Sequence, residues 1–325
     1  MNLGRRPRTD PDGDQLRLLA KVARMYHERG IRQPRIAADL NISQPRVSRL
    51  LKQAGDMGVV RTVVVMPAGT HSDLEQRVQE RYSLEDVVVV DTDGAGDDVL
   101  QALGAATAEY LEASLVGSHT IGVSSWSETL VCAVDLMHVK GTRATRVVQV
   151  VGGLGDPEVQ LQATRLTARL ADLTGATPVF LSAPGLVGSA ATRRALTADP
   201  SVAAVTALWS SIDVALVGIG CLEPSPLLQR SGNALGSDEQ HELLSLGAVG
   251  DVCLRYFDAR GAPIRSDFDQ RLVGITREQL LRVPRRVGIA GGRRKFAAIH
   301  AAVLGQWVNV LITDLNTAVR LAEAA

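Results

Sequence analysis

Residues 31–54, IRQPRIAADLNISQPRVSRLLKQA, constrain the fold of this chain more than any other stretch, because their spacing specifies two short helices meeting at a tight corner. Ile36 and Leu40 stand four residues apart on one helical face, and Ala37 is small where a second helix must approach closely. Asn41 falls at the turn, where a left-handed backbone is needed and Asn tolerates it best after Gly. Ile42 then plugs the corner. Ser43 is placed as an N-cap, Pro45 lies in the first turn where its missing N–H costs little, and Val47, Leu50 and Leu51 rebuild the apolar face. Gln44, Arg46, Arg49 and Lys52 are left facing outward, with Arg35 on the preceding helix, and such side chains suit base edges and phosphates. The alternative is an ordinary amphipathic hairpin with a solvated basic face, which would not require corner, cap and outward donors to agree.

Charge is distributed to match. The 325 residues are neutral overall, yet the first 62 carry 13 Lys and Arg against 6 Asp and Glu, and the rest 22 against 29. A basic head on an acidic body fits one module that touches a polyanion and another that does not. Aromatics make up 3%, too few for a base-stacking platform, so duplex DNA is a better partner than single strands. No apolar run reaches the roughly 18 residues of a membrane span, and the opening MNLGRRPRTDPDGD has no hydrophobic segment of a secretory signal. Cys132, Cys221 and Cys253 are isolated, and the six His show no metal-ligand spacing, so neither a disulfide framework nor a metal or other cofactor is expected. A cytoplasmic protein without membrane contact is the expectation.

The length suits two domains, expected at 1–66 and 67–325. A helix from about Asp14, as N-cap, to Arg29 should precede the corner and bury Leu16, Leu19, Val22, Ala23 and Tyr26. GDMGVVRTVVV reads as a turn into a β-branched strand, the wing of a winged helix, followed by a short linker at Pro67, Ala68 and Gly69. HSDLEQRVQERY then opens the second domain. From Val87 onward, Val/Ile runs bounded by Gly alternate with amphipathic stretches: VVVVD, TIGVS, RVVQVVGG, PVFL, DVALVGIG, DVCLRYFD, RVGIAGG and NVLITD. Such runs, separated by helices, indicate a mainly parallel sheet covered on both faces, with ligands beyond the carboxyl ends of the strands. Those ends are polar or glycine-rich at residues 124–129, 152–155, 218–220, 291–295 and 313–314.

In order along the chain, YHERGIRQPRIAADLNISQPRVSRLLKQA, GVSSWSETL, VVQVVGGLG, APGLVGSA, ALVGIG, GAVGDVCLRYFD, VGIAGGRRKFAAI and NVLITDLNTA resemble the SorC family of sugar-responsive bacterial transcription regulators. The resemblance covers nearly the whole chain after the first dozen residues. It implies an effector domain with the fold of phosphosugar isomerases and deaminases, without their catalysis. It also implies homo-oligomers, usually tetramers built as dimers of dimers, whose grip on an operator is altered by a sugar, polyol or sugar phosphate.

Carried onto this sequence, the resemblance assigns an effector loop to Ser124, Ser125, Trp126, Ser127, Glu128 and Thr129, and a close backbone approach to Gly152 and Gly153 in the GGLG turn. It assigns an amide contact to Gln162, a carboxylate for ligand hydroxyls to Asp251 and a cation to Lys295. Each has a plain alternative. Ser124 and Ser125 could merely cap a helix. The Gly pair could be an ordinary strand-end turn. Asp251 could be structural and Lys295 solvated, while Trp126, Trp209 and Trp307 suit a core, with Trp126 the one candidate for a sugar platform. Glu128 also sits where phosphate would lie, at about 1–4 kcal/mol of repulsion for a dianion. Even with Lys295, Arg165 or Arg230 to offset it, that favours a neutral sugar or polyol.

The competing function is a phosphosugar isomerase or deaminase fused to a DNA-binding head, with Asp251 and Lys295 as acid–base groups. No recognisable catalytic His or Glu partner accompanies them. A dinucleotide-binding redox sensor is disfavoured, since neither GGLG nor GIGC completes GxGxxG. A serine hydrolase elbow is disfavoured too, because Trp126 replaces the last glycine of GxSxG.

Overall fold

A computed structural model of the chain describes residues 13–60, 71–92, 97–115, 117, 119–138, 144–153, 157–223, 225, 228–229 and 235–324. It divides into two compact units, Met1–Pro67 and Ala68–Ala325.

The first unit contains α1 (Gly13–His27), α2 (Gln33–Asp39) and α3 (Gln44–Asp56). The corner between α2 and α3 forms as its residue types require. Asn41 takes a left-handed backbone at φ 51°. Its N–H returns to the Ala38 carbonyl at 3.2 Å, and the Ile42 N–H to Ala37 at 3.0 Å. This is the Schellman closure that satisfies the last carbonyls of α2. Leu19, Val22, Ile36, Val47 and Ala54 are fully buried between the three helices. Each of the larger aliphatics contributes about 1.5–3 kcal/mol by leaving water. Two expectations for α1 fail: Leu16 and Tyr26 are exposed, and Met25 is buried instead. The inward stripe is shifted by one residue at the end of α1, where the Tyr26 ring packs edge-on to His27. The expected wing strand from Arg61 and the linker lie outside the described residues, as does the Asp14 side chain.

The second unit is built on a sheet in the order β1-β9-β8-β5-β2-β3-β4, all parallel. Its strands are β1 (Asp86–Val90), β2 (His119–Val123), β3 (Ala144–Gln149), β4 (Thr177–Val179), β5 (Val214–Gly220), β8 (Arg285–Ile289) and β9 (Val310–Asp314). Alternate residues serve opposite faces. In β5, Ala215, Val217 and Ile219 join one core while Val214 and Leu216 join the other. This two-sided burial is why the strands read as unbroken apolar runs. Helices α4 (Ser72–Tyr82), α5 (Asp97–Ser114), α6 (Glu128–Leu136) and α7 (Pro157–Thr174) pack against β1, β9, β5 and β3 respectively.

DVCLRYFD departs from the expected parallel strand. It folds into an antiparallel hairpin, β6 (Ala248–Val252) and β7 (Arg255–Asp258), attached to the end of β5 by Ile219↔Val252 and Gly220↔Asp251. Cys253 and Leu254 form the two-residue turn, with φ of 55° and 61°. Two consecutive left-handed residues are what a type I′ hairpin needs, and Gly or Asn usually supplies them. Here both side chains are buried, so packing overrides local preference.

Candidate functional site

On α3, Gln44, Arg46, Arg49 and Lys52 are all exposed, while Val47, Leu50 and Ala54 are buried. Arg46, Arg49 and Lys52 recur every three residues and therefore share one outward side of the helix. Ser43 stands at the N-cap with extended backbone, but its hydroxyl makes no capping bond, contrary to its expected role. Arg35 is exposed on α2 and paired with Asp39 at 3.1 Å. Such a surface pair is worth little and exchanges readily for another anion.

In the second unit, the chain runs from β2 outward to β3 and β4, then from β5 the other way to β8 and β9. The β2–β5 junction is thus a topological switch point, the place beyond the carboxyl ends where open α/β sheets bind their ligands. Residues 124–129 lie there, following β2. The Ser124 N–H is taken by the Leu216 carbonyl of β5 at 3.0 Å. Ser127 caps α6, accepting the Leu130 N–H at 3.3 Å, and Glu128 opens the helix half-buried. Thr129 is buried in the same turn. Ser125 is buried, and its hydroxyl meets no hydrogen-bond partner among the described residues. With the Thr313 hydroxyl it is an exception, among the described residues, to the pairing of buried hydroxyls.

The structure brings Asp251 and Lys295 to the same place. Asp251, buried on β6, accepts the Leu254 N–H at 2.9 Å. Lys295 immediately precedes the helix Phe296–Leu304 and donates to the Ile219 carbonyl of β5 at 3.0 Å. Burial pushes the Asp251 carboxyl up to about 6, against the opposing pull of the Leu254 N–H and the Lys295 charge. Burial likewise pushes the Cys253 thiol up to about 12, with the Asp251 charge adding to it and a hydrogen bond to Ser124 opposing. Two glycines of β5 make room: a Cβ on Gly218 would sit 2.9 Å from Ser127 Oγ, and one on Gly220 would collide with the Asp251 carboxylate.

Gly152 and Gly153 have a different explanation from the one expected. The Gly152 N–H is bonded to Val273 and the Gly153 N–H to Ala183. A Cβ on Gly152 would lie 2.7 Å from the Ala183 carbonyl oxygen, and one on Gly153 would lie 2.8 Å from the Trp126 ring. These glycines admit neighbouring backbone and an indole, so the strand-end turn accounts for them. Trp126 is correspondingly core: it is 7% exposed and donates from Nε1 to the Gly152 carbonyl at 3.2 Å. Trp209 and Trp307 are buried as well. Gln162 is on α7, but its side chain lies outside the described residues, as do Leu154, Gly155 and Arg230. Arg165 is exposed and paired with Asp135 at 3.1 Å. At the end of β9, Asp314 accepts the Gly292 N–H at 2.7 Å and the Thr317 hydroxyl at 2.6 Å, so it braces the turn before Lys295.

Sequence reasoning missed the hairpin turn at Cys253 and Leu254, because DVCLRYFD reads as one strand, and it placed Gly220 only among the glycine-rich strand ends, not against Asp251. Among the described residues, no helix is long and apolar enough to cross a membrane, and no cluster of His, Cys, Asp and Glu could hold a metal.

A helix-turn-helix with outward cations, followed by a parallel α/β unit with buried polar groups at its switch point, has the architecture of a ligand-responsive regulator of transcription. The chain matches the "Putative sugar-binding domain" family over residues 67–323. It is 31% identical over 310 residues to the deoxyribonucleoside regulator of Bacillus subtilis (strain 168), covering 94% of this chain and 97% of that one. It is 28% identical over 313 residues to the sorbitol operon regulator of Klebsiella pneumoniae, covering 94% and 98%. The crystal structure of the full-length sorbitol operon regulator SorC from Klebsiella pneumoniae matches with a TM-score of 0.71 at 27% identity, over 96% of this chain and 100% of that chain. The chain belongs to the SorC family of sugar-binding transcriptional regulators. It is a sugar-responsive regulator and not an enzyme, its relatives being named as regulators of transcription.

Proposed function

We propose that residues 1–66 grip duplex operator DNA and that residues 67–325 bind the effector and assemble the protein into a cytoplasmic homo-tetramer, a dimer of dimers. Gln44, Arg46 and Arg49 read bases, while Arg35, Ser43 and Lys52 hold phosphates. The effector enters the crevice between residues 124–129, Asp251 and Lys295. Asp251 accepts its hydroxyls, the Ser125 hydroxyl gains its missing partner, and Lys295 adds a charge-assisted bond. Gln162 approaches from α7.

The observation that carries this reading is the convergence on the carboxyl ends of β2 and β5 of Asp251, Lys295 and the Ser125 hydroxyl, which has no hydrogen-bond partner among the described residues. A regulator needs an effector that binds two arrangements of the protein unequally, and no chemistry beyond that. Glu128 in the first turn of α6 favours a neutral polyol, of which D-sorbitol is the natural probe given the named relative. The second reading, a sugar phosphate, is favoured by the Lys295 ammonium and the α6 N-terminus.

The test has two arms. Duplexes selected from a random pool by the full chain give the operator, and calorimetric titration with D-sorbitol, D-sorbitol 6-phosphate and deoxyribose 5-phosphate gives the ligand class. The reading requires that a ligand that binds also changes operator affinity. Binding that left operator affinity untouched would refute it.

A further inference from the structure

Arg255 opens β7, one residue past the Cys253–Leu254 turn, and is 7% exposed. A guanidinium keeps its charge, so burial at this depth demands partners. All four bonds run to one segment, residues 269–275. Nε donates to the Ile275 carbonyl at 3.1 Å and Nη2 to the Gly274 carbonyl at 2.9 Å. Nη1 donates to the Asp269 carbonyl at 3.0 Å and to its carboxylate at 2.7 Å. The Asp269 side chain is 38% exposed, so the ion pair reaches solvent while the bonds to the Gly274 and Ile275 carbonyls do not.

That segment is threaded between two strand-end loops. The Ile275 N–H donates to Val150 at 2.7 Å, the Gly152 N–H to Val273 at 2.9 Å, and the Val273 N–H to Gly185 at 2.7 Å. The Gly152 carbonyl in turn receives the Trp126 indole. A continuous path of hydrogen bonds and short backbone links thus leads from the hairpin carrying Asp251, through Arg255 and residues 273–275, to the loop carrying residues 124–129. Asp251 secures the near end by holding the Leu254 N–H.

We propose that Arg255 is a positioning residue of the effector crevice: its planar fork on Gly274 and Ile275 fixes the Asp251 hairpin relative to the Trp126 loop. This rests on the effector-site reading above. If neutralising Asp269 were the purpose, lysine would serve equally. A fork on two carbonyls needs arginine.

Amide hydrogen exchange of the full chain compares wild type, R255K and R255M. In both variants the amides of Gly152, Val273 and Ile275 should exchange about 10- to 100-fold faster, while those of β1 and β9 keep their protection. Wild-type protection in R255K would overturn the fork, and equal loss in β1 and β9 would reduce Arg255 to a general stabiliser. If R255M does not fold, R255K decides alone. Calorimetry with D-sorbitol and D-sorbitol 6-phosphate separates the two claims. If either binds the wild type, R255K should weaken it about tenfold or more. Unchanged affinity despite faster exchange would overturn the positioning role. If neither binds, the effector chemistry is wrong, and the exchange data still decide whether Arg255 couples the hairpin to the loop.

Discussion

Gly220 and Asp251 face one another where β5 pairs with β6, and the absence of a side chain on the first leaves the space that the carboxylate of the second occupies. The carboxylate is anchored on its other side by the Leu254 N–H, so it has little freedom to step away. Gly220→Ala should therefore displace Asp251 while leaving the sheet paired. We expect destabilisation of about 1–3 kcal/mol and loss of effector binding, with operator affinity of the ligand-free protein near wild type. Thermal unfolding beside calorimetry and DNA titration checks this; undiminished effector affinity in Gly220→Ala would show that the carboxylate position does not matter.

Asp251 also predicts a pH dependence. Its carboxyl is raised from 3.8 to about 6 in the folded protein. Between these values the folded state binds more protons than the unfolded one, so stability falls as pH rises. The contribution is fully present below about pH 3.8 and is lost as pH passes through about 6, on the order of 3 kcal/mol in all. Urea unfolding at pH 4, 5, 6 and 7 should show this slope superimposed on the titration of other groups, and Asp251→Asn should remove it. Effector affinity should move the opposite way, rising through pH 6 as the hydroxyl-accepting carboxylate forms. An Asp251→Asn protein with the wild-type slope would assign the titration to another group.

The parts of the fold written in local pattern were legible. Asn41 at φ 51° and the apolar spacing of Ile36, Val47 and Leu50 follow from the sequence around them, and so do the parallel strands, whose two-sided burial makes them continuous apolar runs. What was illegible depends on long-range packing. Nothing in DVCLRYFD announces a turn, since Cys253 and Leu254 are held left-handed by burial and by Asp251 rather than by their own preferences. Nor could spacing reveal that Gly152 and Gly153 serve residues 183–184 and Trp126, which lie about 30 positions away in either direction. Asp251 and Lys295 came from resemblance to a family, and their proximity from the fold.

At the DNA, Arg46→Ala should cost about 1–3 kcal/mol if its exposed guanidinium reads a guanine through two hydrogen bonds, and preference should relax at one base position. Competition binding across single-base operator variants measures both. A loss shared equally by all sequences would make Arg46 a phosphate contact.

Operator binding should also weaken steeply with salt, since each phosphate neutralised by Lys or Arg releases counterions. A two-fold assembly presenting two copies of α3 should require inverted half-sites about one helical turn apart, or a multiple of that. Footprinting at several salt concentrations tests the two together; a single asymmetric site held by one chain would contradict the oligomeric half of this expectation.

Glu128 gives the sharpest discrimination between ligand classes. It opens α6 in the crevice loop, where the helix N-terminus and the Ser127 cap would otherwise welcome an anion. A phosphate dianion beside its carboxylate would meet repulsion of about 1–4 kcal/mol, whereas a polyol hydroxyl could donate to it. If the effector is neutral, Glu128→Gln should weaken binding or leave it nearly unchanged. If the effector is phosphorylated, the same substitution removes a repelling charge and should tighten binding by about tenfold or more. Titration of D-sorbitol and D-sorbitol 6-phosphate into wild type and Glu128→Gln gives the four affinities required. Tight binding of only the phosphorylated sugar to the wild type, strengthened in Glu128→Gln, would sink the preference for a neutral ligand and assign Lys295 as the phosphate's cation.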